Sequence, residues 1–376
     1  MTLRHSLFAL LCMSQAACIS QAGGTRGTES GTELAMVHGF AVHEQGFFCG
    51  WPANNGVWTW DDGREILVGY SYGTFAEQEG HNVTGGDVDR LSRSTDGGVT
   101  WSVQEPVNYV PDDNELSPAP GGVLFSAPGF ALRVKRNCFL ISYDRGKSWE
   151  GGYQFDGLME APELKGMVNT SRTGYIVMGP ASCLLFMSAE PAGTDYEDRT
   201  FVAETTDGGK TFHFVSWVTP LDDPYRAVMP SPVRLADGAQ VVALRRRIPD
   251  ADAMCWIDCY QSKDNGRSWA FLSKAAETGL HNGNPPALAV MKDGRVACTY
   301  GDRTRHKMYL RLSEDGGRTW QEEIPIRDDF ALDKFGEKDF GYPRLVQNHR
   351  GELVCMYYWA TKKDFHQHIA VTRVTP

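Results

Sequence analysis

Short runs of alternating apolar residues recur along the chain, and pairs of runs flank turns of the Asp-Gly type. Such alternation, bounded by turn residues, predicts β-hairpins. Weaker pairs turn at Pro128-Gly129 and Thr173-Gly174, so that the sequence predicts six pairs of first and second strands. The four clear pairs are Trp58–Trp60 with Ile66–Tyr70, Val233–Leu235 with Gln240–Leu244, Ala287–Met291 with Arg295–Tyr300, and Leu345–Gln347 with Glu352–Tyr358.

A second pattern, Ser/Thr-x-Asp-x-Gly-x-Thr/Ser-Trp/Phe, occurs five times between these pairs. It predicts a hairpin turn in which the aspartate accepts hydrogen bonds from turn amides, the glycine adopts positive φ and the aromatic ring packs underneath. Five catalytic aspartates are implausible, so we interpret these residues as structural. The repeated aspartates are Asp96, Asp144, Asp207, Asp264 and Asp315.

The spacing of these aspartates predicts the number of repeats. They are separated by 48, 63, 57 and 51 residues, enough for a four-stranded unit with its loops. Residues 34–376 accommodate six such units, of which five contain the pattern. We therefore predict an all-β, six-bladed β-propeller. The last blade lacks an outer strand, which Ala35–Val42 can supply, closing the ring and covering a sheet edge.

Composition and charge exclude several classes of function. The chain has 376 residues, a net charge of −10, 40 glycines and 10 tryptophans, and no Lys/Arg run that would bind a phosphate backbone. Nucleic acid is therefore excluded as a partner. After residue 22 no apolar run approaches the length of a membrane span. Phosphate-loop, dinucleotide and metal-ligand spacings are absent, so we expect no cofactor and no metal, and we expect a monomer.

The N-terminus has the layout of an export signal. Arg4 and His5 precede the apolar run Leu7–Met13, and small residues follow, which predicts a signal peptide over residues 1–22 and a flexible tether over 23–33. The segment before Cys18 also resembles a bacterial lipobox, so both a lipid anchor at Cys18 and simple release are open. The expected location is the periplasm, the outer membrane as a lipoprotein, or the exterior.

Export permits disulfides, and seven cysteines follow the signal segment. Several of them alternate with apolar residues in strand-like runs, which favours buried thiols. Cys255 and Cys259 are the best disulfide candidates.

Propeller topology places the starts of the innermost strands and the ends of the second strands around one mouth of the central axis. Arginines gather in this set although the chain is acidic. Arg247 lies nine residues after Gly238 and Arg303 nine after Gly294, which predicts equivalent corners of neighbouring blades. Converging arginines would bind a carboxylate; the alternative is that they pair with nearby aspartates. The arginines near the mouth are Arg226, Arg245, Arg246, Arg247, Arg303, Arg305 and Arg344.

The five repeats resemble the Asp-box of the sialidase superfamily. That resemblance implies an arginine cluster holding a sugar carboxylate, here Arg247, Arg303 and Arg344. It also implies a tyrosine nucleophile tuned by a glutamate, and an aspartate acid/base on the loop before the first Asp-box.

The residues that match these implied roles are not unique. Tyr342 is the nucleophile candidate, with Tyr358 and Tyr300 behind it, and Glu160 is the candidate for tuning it. Asp87 or Asp89 is the candidate acid, with Glu77, Glu79 and His81 as rivals.

The chain departs from the sialidase pattern at its first blade. The Arg-Ile-Pro motif that supplies the first arginine is replaced by Trp51-Pro-Ala-Asn54-Asn55, and the string Arg247-Ile248-Pro249 occurs in the wrong blade. The amides Asn54 and Asn55 suggest contacts to sugar hydroxyls, with Trp51 or Trp58 available for stacking. His281 is a further candidate for binding substrate.

These observations favour an exported glycosidase acting on the terminal residue of an anionic glycan, either sialic-acid-like or uronic-acid. Two alternatives stay open. One is a polysaccharide lyase or hydrolase of uronic acids, with His81 or His281 and Tyr342 as its acid/base pair. The other is a propeller that binds glycan or protein without catalysis.

Overall fold

The computed structural model describes residues 34–109, 115–248, 254–280 and 282–376, and these residues form 25 strands in six antiparallel sheets. The predicted signal peptide, tether and Cys18 lie outside the described residues, as does His281. The sheets are arranged as the blades of a β-propeller, which confirms the predicted fold class.

The N-terminal strand β1 (Ala35–Val42) precedes the first blade. This blade comprises β2 (Phe47–Gly50), β3 (Val57–Trp60), β4 (Glu65–Phe75), β5 (Val83–Ser94) and β6 (Ser102–Gln104). Its innermost strand is split, because the short helix α1 (Pro52–Asn55) separates β2 from β3, and both pair with β4. A 3-10 turn at Asp61–Gly63 joins β3 to β4.

The next two blades contain β7 to β14. The second comprises β7 (Ala131–Lys135), β8 (Cys138–Ser142) and β9 (Glu150–Gln154), and a 3-10 turn at Pro162–Leu164 follows it. The third comprises β10 (Met167–Asn169), β11 (Tyr175–Gly179), β12 (Ser182–Pro191), β13 (Arg199–Thr205) and β14 (His213–Trp217).

The fourth blade comprises β15 (Arg226–Arg234), β16 (Gln240–Arg247), β17 (Cys255–Ser262) and β18 (Ala270–Gly279). The fifth comprises β19 (Ala287–Val290), β20 (Val296–Asp302), β21 (Lys307–Ser313) and β22 (Ile324–Arg327). The sixth comprises β23 (Gly341–Gln347), β24 (Leu353–Trp359) and β25 (His368–Thr375).

The N-terminal strand closes the ring as predicted. β1 pairs antiparallel with β25, from Ala35 opposite Thr375 to Val42 opposite Ile369. The sixth blade is thereby four-stranded, in the order β1-β25-β24-β23.

The second blade corrects one strand prediction. The sequence pattern placed a first strand before Pro128-Gly129, but residues 121–127 form turns, in which the Ala127 amide donates to the Leu124 carbonyl at 3.1 Å. Gly121 and Gly122 both have positive φ, and Pro120 and Pro128 lack the amide hydrogen that a strand would use. The described part of this blade therefore has three strands.

The five Asp-box turns have the predicted geometry. In the fourth copy, Asp264 Oδ1 accepts the Ser268 amide at 2.9 Å, and Oδ2 accepts the Ser268 hydroxyl at 2.5 Å. The Ser262 hydroxyl accepts the Gly266 amide at 2.9 Å. The Trp269 indole lies beneath the turn and donates to the Gly266 carbonyl at 3.2 Å. These aspartates hold turns, as the sequence predicted.

The turn hydrogen bonds predict a loss of stability in acid. The Ser268 hydroxyl is the main cause that lowers the pKa of Asp264 to about 2, whereas an unfolded aspartate titrates near about 3.9. Because the folded pKa is depressed, this stabilisation is present above about pH 4 and is lost as the pH falls towards 2. We expect Asp264→Asn to flatten the dependence of melting temperature on pH between 2 and 5. Parallel pH curves for Asp264→Asn and the parent protein would contradict this assignment.

The cysteine prediction needs one correction. All seven cysteines of the described chain are buried, as expected for strand positions, and Cys255 and Cys259 do not bond to each other. They lie four residues apart on the extended strand β17, a separation of about 13 Å, whereas a disulfide needs Cα atoms within about 7 Å.

Among the described residues, no helix has the length and apolar character needed to cross a membrane.

Candidate functional site

Helix α1 lies across one mouth of the ring. It contacts strands of the first, second and sixth blades, and its Ala53 packs with Val228 and Met229 of the fourth blade and with Tyr342 of the sixth. Trp51 begins the helix in the left-handed conformation, with φ of 52°. The short helix thus brings Trp51 and Asn54 to the place where blades from different sides of the ring meet.

Tyr342 is fixed at this mouth by its backbone as well as its ring. It is the second residue of β23 and has a left-handed φ of 50°, and its amide donates to Asn284 Oδ1 at 2.8 Å. Asn284 is fully buried. A strained backbone held by a buried partner is typical of functional positions.

Two arginines converge on the Tyr342 phenol. Arg245 Nη1 donates to the Tyr342 hydroxyl oxygen at 3.2 Å, and the guanidinium carbon of Arg303 lies 5.8 Å from the centre of the Tyr342 ring. Burial alone would raise the pKa of Tyr342, but the positive charges of Arg245 and Arg303 lower it to about 8. About a tenth of Tyr342 would therefore be phenolate at pH 7.

Strand alternation decides which arginines reach the mouth. Successive side chains of β16 point to opposite faces, so Arg245 and Arg247 share one face. Arg246 lies on the other, where it pairs with Asp223 and, at 3.2 Å, with Asp258. Arg246 therefore pairs with nearby aspartates, which was the alternative interpretation of the arginine cluster.

Arg226 and Arg247 extend the cluster along the fourth blade. Their guanidinium groups share Asn282 Oδ1, at 3.1 and 3.2 Å respectively. Both also lie over the exposed ring of Tyr196, at 4.9 and 4.6 Å from its centre. Arg226 pairs with the buried Asp198 at 2.6 Å.

Among the described residues, several guanidinium groups are buried at the mouth. The Arg172 Nε donates to Asn54 Oδ1 at 3.1 Å, and burial lowers the pKa of Arg172. Burial also lowers the pKa of Arg245, with Arg226 and Arg303 adding to the effect. A bound anion would add a favourable interaction with these buried cations.

A carboxylate and a histidine lie beside Arg303. Asp339 is buried, and its Oδ1 accepts the Tyr358 hydroxyl at 2.6 Å and contacts His81 Nδ1 at 2.8 Å. Arg303 Nη2 lies 3.5 Å from the Tyr358 hydroxyl. Desolvation is the largest cause that raises the pKa of Tyr358 well above its ordinary value, so Tyr358 is a poor nucleophile beside Tyr342.

Arg344 lies beneath α1. Its Nη2 donates to the carbonyls of Ala53 at 2.7 Å and Thr173 at 3.1 Å, and it lines an axial cavity of 340 Å³ to which all six blades contribute. Burial lowers the pKa of Arg344 to about 10. Its present partners are carbonyls that position the helix, and direct contact with substrate stays a prediction.

Asn55 and Asp89 lie in a buried network between the first and second blades. Asn55 Oδ1 accepts the Tyr109 hydroxyl and Arg133, both at 3.2 Å. Asp89 pairs with Arg133 and, at 2.8 Å, with Lys135. Burial would raise the pKa of Asp89, but these two cations lower it. Asp89 is therefore held ionised, which disfavours it as a proton donor.

The other two predicted catalytic residues are both exposed. Asp87 is exposed on β5, opposite Gly73. Glu160 is exposed between β9 and the turn at Pro162–Leu164. Their catalytic roles stay predictions.

The described mouth also contains residues that the sequence did not single out as site candidates. Arg245 was among the arginines predicted near the mouth. Because Arg245 and Arg247 alternate onto the same face of one strand, the sequence offered no reason to prefer Arg245 as a binding residue. Asn282 and Asn284 lie in the predicted loop before β19, whereas Asp339 had no motif to mark it.

Comparison with known proteins agrees with this architecture. The structure is similar to a protein of unknown function from Dyadobacter fermentans, with 18% identity and a TM-score of 0.65 over 90% of this chain and 97% of that one. It is also similar to an α-L-arabinofuranosidase from Fusarium graminearum, with 16% identity and a TM-score of 0.53 over 87% and 96%. An α-L-arabinanase from Penicillium chrysogenum has 15% identity and a TM-score of 0.54 over 87% and 96%. The chain thus shares its fold with glycoside hydrolases.

A search of curated proteins found no match. The profile of the BNR repeat-like domain matches residues 123–355, more than half of the chain. The chain therefore belongs to the BNR repeat-like domain family, the sialidase-type repeat.

Proposed function

We propose that this protein is a glycosidase that removes a terminal anionic sugar, sialic-acid-like or uronic-acid, from a glycan. One observation carries the proposal: Arg245 and Arg303 converge on the phenol of Tyr342 at the mouth of the ring. This arrangement offers a nucleophile and a cationic site for a carboxylate in the same place.

The arginines account for binding. Guanidinium groups bind carboxylates with two parallel hydrogen bonds, and Arg303 and Arg245 are both buried near the mouth. Arg226 and Arg247 stand beside them through Asn282. A sugar carboxylate would carry the charge opposite to that of these guanidinium groups.

Tyr342 accounts for the chemistry. The phenolate oxygen would bond to the anomeric carbon while the bond to the leaving-group oxygen breaks, and water would then release the sugar and restore the phenolate. A tyrosine nucleophile is one of the known exceptions to paired carboxylates in glycosidases. Arg245 and Arg303 would offset the repulsion between the phenolate and the substrate's own carboxylate, because both lie beside the phenol.

The aromatic residues at the mouth fit a sugar ring. Trp51 is partly exposed and lies 4.9 Å from His81, ring centre to ring centre. Asn54 stands at the same mouth through Arg172. Together they offer a stacking surface and an amide for sugar hydroxyls.

A lyase acting on uronic acids is the second candidate. The observation that favours it is the presence of His81 and the phenol of Tyr342 at one arginine-rich mouth, where His81 is among the groups that lower the pKa of Tyr342. Proton abstraction next to a neutralised carboxylate would need this set of groups.

The test is a screen of purified protein against aryl sialosides, aryl uronides, uronic-acid oligosaccharides and aryl α-L-arabinofuranosides. We expect release of the aryl group from an anionic substrate and none from its sugar methyl ester. Arg303→Gln should lower kcat/KM for the acid about 100-fold or more, while Arg305→Gln should leave it unchanged, because Arg305 pairs with Asp302 and Glu323.

Other outcomes of the screen would overturn the proposal in distinct ways. Turnover of arabinofuranosides alone would assign a neutral substrate. An unsaturated uronide as product would assign the lyase. Saturable glycan binding without turnover would assign a binding propeller.

A further inference from the structure

We propose that His81, oriented by Asp339, is the proton donor of this mouth. The inference rests on the proposed function and assigns the acid to a residue other than Asp87. It is carried by the geometry of a histidine–carboxylate pair that spans two distant parts of the chain.

The pair has one buried and one accessible member. His81 Nδ1 lies 2.8 Å from Asp339 Oδ1, and the side chain of His81 is 52% exposed, whereas that of Asp339 is 1% exposed. Because Nδ1 contacts the carboxylate, Nε2 is the ring nitrogen that a ligand would meet. A carboxylate on one nitrogen fixes the tautomer and the orientation of the other.

Asp339 is itself held in place. The Tyr358 hydroxyl donates to the same oxygen at 2.6 Å, and Asp339 Oδ2 is buried without a hydrogen-bond partner in the described residues. A buried carboxylate with one oxygen unsatisfied is costly. The contact with His81 therefore stabilises the Asp339 carboxylate most when the imidazole carries a positive charge.

The loop that carries His81 is anchored on both sides of the histidine. The Gln78 side chain donates to the carbonyls of His81 and Val83, both at 2.8 Å. The side chain of the buried Asn82 donates to Asp333 at 2.8 Å. The imidazole also packs against the Trp51 indole in a T-shaped contact. These contacts orient the ring before substrate binds.

The charged groups around His81 favour its protonated form. The hydrogen bond to Asp339 is the main cause that raises the pKa of His81; Tyr342 acts in the same direction, and burial and Arg303 oppose it. The facing groups thus come from the loop before β23, from β23 and from the end of β20. An imidazolium that persists to higher pH can donate a proton near neutral pH.

The step balances as follows. His81 Nε2 gives its proton to the glycosidic oxygen as the carbon–oxygen bond breaks, and the electron pair of that bond stays on the leaving oxygen. The Tyr342 phenolate oxygen bonds to the anomeric carbon. In the second half, neutral His81 takes a proton from the attacking water while the bond to Tyr342 breaks, so that both residues return to their starting states.

The experiment compares leaving groups of different acidity. We expect His81→Gln to lower kcat/KM about 100-fold or more for an alkyl glycoside, whose leaving oxygen needs a proton, and less than about 10-fold for a 4-nitrophenyl glycoside, whose leaving oxygen does not. Asp339→Asn should move the alkaline limb of the pH profile to lower pH. His213→Gln, an exposed histidine on β14, is the matched control and should change neither rate.

The outcomes separate this inference from the proposed function. If the parent enzyme turns over both glycosides and His81→Gln lowers the two rates equally or not at all, His81 is not the donor and the glycosidase assignment stands. If the parent protein turns over no glycoside, the proposed function fails and the role of His81 fails with it. A melting temperature of His81→Gln equal to that of the parent excludes loss of folding as the cause.

Discussion

Tyr342→Phe should lower kcat/KM for the anionic glycoside by about 1,000-fold or more while leaving the fold intact. The change removes only the hydroxyl that Arg245 contacts at 3.2 Å, and with it the oxygen that would bond to the sugar. The backbone amide still donates to Asn284, so the strained turn at the start of β23 is kept. Losing a covalent nucleophile usually costs a rate factor of this order or larger.

Tyr300→Phe is the matched control for this prediction. Tyr300 is fully buried in the fifth blade, and its hydroxyl donates to Glu323 at 2.6 Å. We expect its removal to cost stability and to leave kcat within about 3-fold, since its hydroxyl is paired with Glu323 and is not used in the proposed step. If Tyr342→Phe kept more than a tenth of the parent activity, Tyr342 would not be the nucleophile.

Gly341→Ala should destabilise the protein by about 3 kcal/mol, from left-handed strain of about 1–2 kcal/mol and overlap of about 1–3 kcal/mol. Gly341 has φ of +103°, and an added Cβ would lie 2.0 Å from Asn284 Oδ1. Asn284 is buried and holds the Tyr342 amide, so it cannot move without releasing the site. Urea unfolding measures the loss, and turnover should fall with it.

Gly294→Ala separates strain from overlap. Gly294 has φ of +90°, but an added Cβ would have no heavy atom within 4 Å. We expect this control to lose only the strain contribution, about 1–2 kcal/mol, and to keep full activity. Equal losses in the two variants would show that contact with Asn284 is unimportant.

Most of the fold could be predicted because its signals are local and repeated. Each Asp-box needs only eight consecutive residues to define its turn, and Asp264 with Ser262 and Ser268 shows all the contacts that the pattern implies. The missing strand before Phe130 lacked such a signal. Its apolar residues suit a strand, but the neighbouring glycines and prolines decide the backbone.

For the candidate site, the sequence could predict only those residues whose position in the propeller topology places them at the mouth. Tyr342 and Arg303 come directly from strand starts and strand ends. The choice between Arg245 and Arg247 depends on the register of β15 and β16, which shifts between Val228 and Ser231. No sequence rule anticipates such an irregularity.

The contact between His81 and Asp339 is still harder to predict from the sequence. It joins residues 258 positions apart, and one of them belongs to the long loop between β22 and β23. Pairing across that distance follows from the closed ring and not from local preference.

The pairing of β1 with β25 also has a consequence for how the molecule folds. Ala35 and Thr375 lie at opposite ends of the described chain, yet they are neighbours in one sheet. Bringing such distant segments together carries the largest loop-closure entropy in the molecule, so we expect this joint to form late. Until it does, β25 presents an unpaired edge that can recruit another chain. Refolding at high protein concentration should therefore favour dimers exchanged through β1 over the closed monomer.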